Sequence, residues 1–169
     1  IVLMEQLAET IVIDVDYHVS GWGVLKPVVR LQPIHLEGVT IKNVTGINAK
    51  FIMDNKIAPG AVLQIVRSGS VIPKIHKIIT PSEAGKLPDD IPFKWNQNKI
   101  DIMVIEDEID DDIKDKILVK QILRFMNSIG VEGFKRGKIA KVIQSENLDS
   151  IPKLLKAKKA YFLEIEGFQ

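Results

Sequence analysis

The sequence predicts an α+β protein, a small closed antiparallel β-barrel followed by an all-α region. Three observations lead there. Alternating apolar and polar residues with regular turn signals mark five short strands in the first 80 residues, with one short helix after the third, the layout of a small closed barrel. A stretch rich in Pro, Gly, Asp, Lys and Asn then interrupts the pattern. From Ile113 onward the apolar residues recur at helical spacing instead.

The first strand is read at Ile11 to Val19, where alternation through the second half implies one buried face, and Gly21 and Gly23 turn it. Further strands are expected at Val28 to Leu31, Val39 to Val44, Val62 to Ser68 and Pro73 to Ile79. Glu37-Gly38 and Ala58-Pro59-Gly60 supply the turns between them. Asn48 to Asp54 has the composition of a short helix with Phe51 and Ile52 facing inward. Thr80 to Asn98 contains Pro81, Pro88 and Pro92 and reads as a largely irregular connector, with Phe93 and Trp95 as its packing anchors. Asp101 to Ile105 reads as a single strand, and the acidic run Glu106 to Asp112 as a solvated entrance that caps the succeeding helix. In that helix Ile117, Leu118, Ile122, Phe125 and Met126 share a face. Gly130 to Gly133 breaks it, Lys138 to Gln144 resumes a helix, and Ile151 to Ala157 and Lys159 to Glu164 are two shorter ones. The division expected is therefore the end of a preceding domain or a tail over 1–10, the barrel over 11–80, the connector over 81–112 and the helical domain, C-terminally truncated, over 113–169.

Totals exclude several function classes. The formal charge of +1 gives no overall polyanion signal, yet it conceals blocks. Residues 1–85 carry 8 basic and 7 acidic side chains, residues 86–115 carry 4 and 10, and residues 116–169 carry 11 and 5. The helical third is thus locally basic. No cysteine is present, which removes disulfides and thiolate metal sites. His18, His35 and His76 are scattered without a paired acid at ligand spacing, so no catalytic or metal role is assigned to them. The longest apolar runs fall well short of the roughly 20 residues a membrane span needs, and the start lacks a signal pattern. An intracellular, cytoplasmic chain without a membrane partner is expected.

One stretch carries a specific pattern. Pro27-Val28-Val29-Arg30-Leu31-Gln32-Pro33-Ile34, then Gly38, Thr45 and Asn48, Gly60-Ala61-Val62, and Arg67-Ser68-Gly69-Ser70-Val71-Ile72-Pro73 occur in order. In this the chain resembles the oligonucleotide-binding (OB-fold) domain of NAD-dependent DNA ligases. The resemblance implies that the barrel is an OB-fold and that its partner is nicked duplex DNA, entered from the minor groove. In that family a four-cysteine zinc module begins near a Leu-Pro element. Here Leu87-Pro88 is kept and the cysteines are not. Where the family has Gly-Arg-Thr-Gly, this chain reads Ser20-Gly21-Trp22-Gly23. Trp22 is expected to cover the barrel end, with stacking on a sugar or base as the other reading.

The helical third carries a second likeness. Ile129-Gly130-Val131-Glu132-Gly133-Phe134-Lys135-Arg136-Gly137-Lys138 resembles a helix-hairpin-helix unit, whose turn amides receive a phosphate at the start of the second helix. Lys135 stands where the pattern has its last glycine, placing a cation beside the expected phosphate. Gly133, Lys135, Arg136, Lys138 and Lys141 are the candidates here; the alternative is a lysine-rich solvated face that only packs on the rest. Phe162-Leu163-Glu164-Ile165-Glu166-Gly167-Phe168 resembles the start of another such turn, with 165–169 expected to be frayed. This interruption makes the chain a fragment of a longer polypeptide by expectation.

On the barrel the candidate DNA contacts are Arg30, Lys42, Asn43, Asn48, Lys50, Arg67, Lys74 and Lys77, because backbone recognition needs cations and amides along one groove. Arg67 alternatively pairs with a local acid, and Asn48 alternatively caps the helix it precedes. The ligase's Lys-x-Asp-Gly nucleophile motif occurs nowhere in the 169 residues, and Leu3-Met4-Glu5-Gln6 stands where the family's Lys-Phe element belongs. The resemblance therefore implies the non-catalytic DNA-gripping part of a ligase, of a divergent viral or phage form, acting in replication and repair. It binds no cofactor itself, while NAD and magnesium serve the full enzyme. Its protein partner would be an adenylation domain, in cis or in trans. Two alternatives stand beside this: a separately encoded ligase subunit, and a protein-interaction module that binds no DNA.

Overall fold

The computed structural model describes residues 6–67, 72–145, 148, 150–163 and 165. The chain divides into two compact units, one of Ile1–His18 with Val24–Ile105, the other of Val19–Gly23 with Glu106–Gln169.

The first unit is a curled antiparallel sheet. Its strands are β1 (Gln6–Val19), β2 (Val24–Leu36), β3 (Val39–Thr45), β4 (Val62–Arg67), β5 (Lys74–Thr80), β6 (Phe93–Trp95) and β7 (Ile102–Val104), with helix α1 (Ala49–Asp54) between β3 and β4. The order across the sheet is β5-β4-β1-β2-β7-β6, and β3 also pairs with β2. Alternate residues Leu25, Val29 and Leu31 of β2, with Leu63 and Ile65 of β4, point inward and are fully buried, joined by Val12, Val15 and α1's Ile52. Each such side chain stabilises the fold by roughly 1.5–3 kcal/mol through loss of apolar surface to water.

The curl has a local cause in β2. Its ladder with β3 shifts between Arg30 and Ile34, so that four residues of advance on one strand face two on the other, from Asn43 to Ile41. Pro33, which has no N–H to give a ladder, falls inside this bulge. The bulge leaves the Gln32 carbonyl to accept from the buried Thr10 hydroxyl at 2.6 Å. β3 comes against β5 across the curl. No ladder joins them among the described residues, and the sheet forms an OB-like half-barrel.

Several expectations are revised. Residues 6–10, expected as a tail, form the first part of β1, with Gln6 facing Arg67 and Thr10 facing Leu63. The expected connector includes a hairpin: β6 pairs with β7, and β7 with β2 through Leu25 and Ile102. Its anchors are Ile102 and Val104, which are buried. Phe93 is only half-buried and Trp95 is 38% exposed, because both lie on the short outer strand.

Residues 82–86 form a strap along α1. The Ser82 N–H donates to the Lys56 carbonyl and the Lys86 N–H to the Ile57 carbonyl, each at 2.9 Å, and the Tyr17 hydroxyl donates to the Lys86 carbonyl at 3.0 Å. Burial pushes the Tyr17 pKa up. Gly85 is required by proximity, since a Cβ there would lie 2.4 Å from the Ile52 carbonyl oxygen and 2.6 Å from Met53 Cα.

The second unit holds α2 (Asp111–Ser128), α3 (Arg136–Ser145), α4 (Ile151–Lys156) and α5 (Lys159–Leu163). Asp110, from the acidic run, caps α2 by accepting from the Ile113 N–H at 2.9 Å, and Asp111 and Asp112 suit the positive end of the helix. The core gathers Val119, Ile122 and Met126 of α2 against Ile139 and Val142 of α3 and Leu154 of α4. Phe134 and Phe162 meet edge to face with centroids 6.2 Å apart. Of the segment 165–169, expected to fray, Ile165 is buried and its N–H donates to the Phe162 carbonyl at 3.2 Å. The rest of that turn, residues 164 and 166–169, lies outside the described residues, as does 68–71 of the Arg67 to Pro73 motif.

Candidate nucleic-acid interface

The cations named from the first unit's sequence fall into two groups. The first is engaged internally. Arg30 donates to the Asp14 carboxylate at 3.0 Å and lies 3.4 Å from that of Asp16, both on the neighbouring β1. Arg67, with only 15% of its side chain exposed, lies 3.6 Å from the Glu37 carboxylate and donates to the Leu36 and Glu37 carbonyls at 3.5 and 3.4 Å. It clasps the β2–β3 turn, where Glu37 has a φ of 48°. Lys50 reaches Asp54 one helical turn on, at 2.5 Å.

Asn48 is the N-cap of α1: its side-chain oxygen accepts from the Phe51 N–H at 2.8 Å. The Lys50 N–H donates to the Ile100 carbonyl of the β6–β7 turn at 3.0 Å. Two first-turn amides of α1 therefore already have acceptors. Asn43 stands opposite Arg30 on the β2–β3 ladder and is exposed.

The second group is Lys42 on β3 and Lys74 and Lys77 on β5, all exposed and, among the described residues, without an acidic partner within 4 Å. They lie on the two strands that approach each other across the curl.

In the second unit the α2–α3 turn is built by glycine. Gly130 has φ 72°; its N–H donates to Asn127 and that of Val131 to Met126, the paired bonds of a Schellman ending. Gly133 has φ 84°. Lys135 then stands at the start of α3, its carbonyl accepting from the Lys138 and Ile139 amides at 3.0 and 3.1 Å. A lysine side chain has no acceptor and cannot cap the first amides of the helix, so these suit an anion instead. Lys135, Arg136 and Lys141 are exposed and Lys138 is half-buried. Gly133 and Gly137 both have open space where a side chain would project. The structure thus gathers Gly133, Lys135, Arg136, Lys138 and Lys141 on one turn and helix, and α3 begins two residues earlier than the sequence implied.

Sequence reasoning missed Lys86, whose Nζ donates to Asp14 at 2.8 Å, and Lys120 and Arg124 on α2. The latter two were hidden by spacing, since Lys120 and Arg124 stand three and seven residues after Ile117, within the face the sequence reads as apolar. Trp22 is 67% exposed and belongs to the second unit, under the Arg124 guanidinium. Among the described residues no group of three His, Asp or Glu is placed to hold a metal ion, and no helix is long and apolar enough to cross a membrane.

A curled antiparallel sheet with one helix between its third and fourth strands is the OB architecture. Residues 9–86 match the family model of the NAD-dependent DNA ligase OB-fold domain. A DNA ligase of Acanthamoeba polyphaga mimivirus is 35% identical over 161 residues, covering 95% of this chain and 24% of the relative. A DNA ligase of Leptospira interrogans is 26% identical over 170 residues, covering 96% and 24%. One of Shewanella baltica is 43% identical over 77 residues, covering 46% and 12%. This chain therefore carries an OB-fold domain homologous to those of NAD-dependent DNA ligases, followed by a helical region, and it spans about a quarter or less of the length of these relatives.

Proposed function

We propose that this chain is the non-catalytic, DNA-gripping region of an NAD-dependent DNA ligase, holding nicked duplex DNA while an adenylation domain performs the chemistry. The observation that carries the reading is the reach of the mimivirus alignment: at 95% of the chain it takes in the OB-fold and the basic α2–α3 turn together. Cations support it in each unit, the exposed Lys42, Lys74 and Lys77 on the sheet and Lys135, Arg136, Lys138 and Lys141 around the start of α3. Neutralising phosphates with such groups releases counterions and supplies most sequence-independent affinity. On this reading the segment 81–112, with its hairpin over 93–104, takes the place of the ligases' zinc module. NAD and magnesium belong to the whole enzyme on this reading. These 169 residues include no Lys-x-Asp-Gly nucleophile, so adenylation is assigned to a different part, in cis or in trans, of a cytoplasmic enzyme.

The test is binding of a labelled nicked duplex at low and moderate salt, with and without Lys135→Ala, Arg136→Ala and Lys138→Ala together. The expected result is affinity that falls steeply with salt, with a shallower slope in the triple variant, by roughly 0.9 for each phosphate no longer neutralised. Absence of binding at low salt would overturn the reading of this chain as a DNA grip by itself, in favour of a region that needs the catalytic domain to bind or of a protein-interaction module. Incubation with NAD, magnesium and the nicked duplex is expected to give neither a sealed strand nor an AMP adduct.

A further inference from the structure

The second unit includes the short segment Val19–Gly23, and Trp22 within it serves none of the roles assigned so far. The segment is firmly held. The Gly23 N–H donates to the Ser20 carbonyl at 3.0 Å, the Gln121 side-chain amide donates to the Gly21 carbonyl at 2.9 Å, and Lys120 Nζ donates to the Val19 carbonyl. Gly21 lies flush on α2, where an added Cβ would sit 3.4 Å from the Gln121 nitrogen and the Lys120 Cβ. An indole on so fixed a base is nevertheless 67% exposed. Its exposure is a matter of direction, not of looseness.

Beside it lies an open cleft of about 610 Å³, whose lining includes Trp22, Lys120, Arg124 and the half-buried Phe125. The Arg124 guanidinium carbon is 4.9 Å from the centroid of the indole ring. A cation thus lies over the ring, and the indole still has 67% of its surface exposed. Among the described residues no carboxylate lines the cleft, and Arg124 has no acidic partner within 4 Å. Burial, and then the charge of Arg136, push the Lys120 pKa down. A ligand complementary to these features is planar, so as to stack, and anionic beside its planar part.

We propose that this cleft is a stacking site for an unpaired nucleobase, with Trp22 as the platform and Arg124 receiving the adjoining phosphodiester. The base must be unpaired because in an intact duplex both its faces are covered by neighbours. The site rests on the DNA-binding reading above and adds to it a preference for single-stranded character, as at a frayed nick or gap. Sequence-tolerant affinity for single strands arises from this combination of an aromatic face and a cation.

The chain has two tryptophans, so Trp95→Phe leaves Trp22 as the only indole reporter. Titration of that variant with a short oligothymidylate is expected to quench its emission, and a blunt duplex to quench it less. In the otherwise unchanged chain, anisotropy of the labelled oligothymidylate is expected to show a roughly 5- to 150-fold loss with Trp22→Ala, the range that stacking one base is worth. Trp22→Phe should recover part of the loss, and Arg124→Ala should weaken binding and flatten its salt dependence. Oligothymidylate binding that is indifferent to Trp22→Ala overturns the inference, as does duplex binding with no affinity for the oligothymidylate. Either leaves the duplex reading intact. Failure to bind both nucleic acids removes the two together.

Discussion

The Lys86 ammonium meets the Asp14 carboxylate at 2.8 Å across 72 residues of sequence, and the same carboxylate accepts from Arg30. The hydrogen bond from Lys86 is the main cause holding the Asp14 carboxyl below its usual 3.8, and the same bond raises Lys86 above its usual 10.5. The depressed acid contributes stability above pH 3.8 that is lost as pH falls through its folded value. The raised base contributes stability below pH 10.5 that is lost as pH rises through its own. Asp14→Asn is therefore expected to cost about 1–2 kcal/mol at neutral pH. Urea denaturation should show that penalty shrinking as the pH is taken down to about 3, below the ordinary carboxylate value; an equal penalty at both pH values would remove the ion pair as its cause.

Asn48 separates capping from DNA contact. Asn48→Ala is expected to lower stability by about 1 kcal/mol because the Phe51 amide is left without its acceptor. Asn48→Asp keeps the cap and adds a negative charge, so a DNA contact predicts normal melting with weakened nicked-duplex binding. Unchanged binding in that variant takes Asn48 out of the interface.

Arg67 and Lys74 should behave oppositely. Arg67→Ala leaves the Glu37 carboxylate and two turn carbonyls without their donor and is expected to cost about 1 kcal/mol. Lys74→Ala is expected to leave melting unchanged while reducing the salt slope of binding by roughly 0.9. The two variants, compared by thermal melting and by salt titration, distinguish a turn clasp from a phosphate contact.

Gly133 and Gly137 offer a similar contrast one helical turn apart. Gly133→Ala forces a side chain into φ 84° and is expected to destabilise the helical unit by about 1–2 kcal/mol, although nothing lies within 4 Å of the new methyl. Gly137→Ala, inside α3, should raise its stability by up to about 1 kcal/mol. If a phosphate approaches the start of α3, that methyl obstructs it, and circular dichroism melting and duplex affinity will move in opposite directions.

The elements legible in the sequence were those with local causes. Strand alternation, the Asn48 cap and the glycines of the α2–α3 turn all act within a few residues, and each is found in the structure close to its expected place. The β6–β7 hairpin was not legible, because three-residue strands show no period and Phe93 and Trp95 look like core residues when they are not. The candidate interface was legible as a set of residue types but not as a set of available charges. Arg30 and Arg67 read as binding cations until the fold supplies acids 14 to 16 and 30 residues away. The Trp22–Arg124 stack joins segments more distant still, which no local pattern reports.

The strap at 82–86 binds the sheet and α1 together without being a strand itself. A chain ended at Thr80 would keep all five barrel strands, yet it would strip the Tyr17 hydroxyl of its acceptor and Asp14 of Lys86, and it would uncover the back of α1 where Gly85 now presses. Such a truncation should melt earlier than one ended after Lys86. A segment that is not a strand thus seals the helix from behind, and the family match, which ends at residue 86, takes it in.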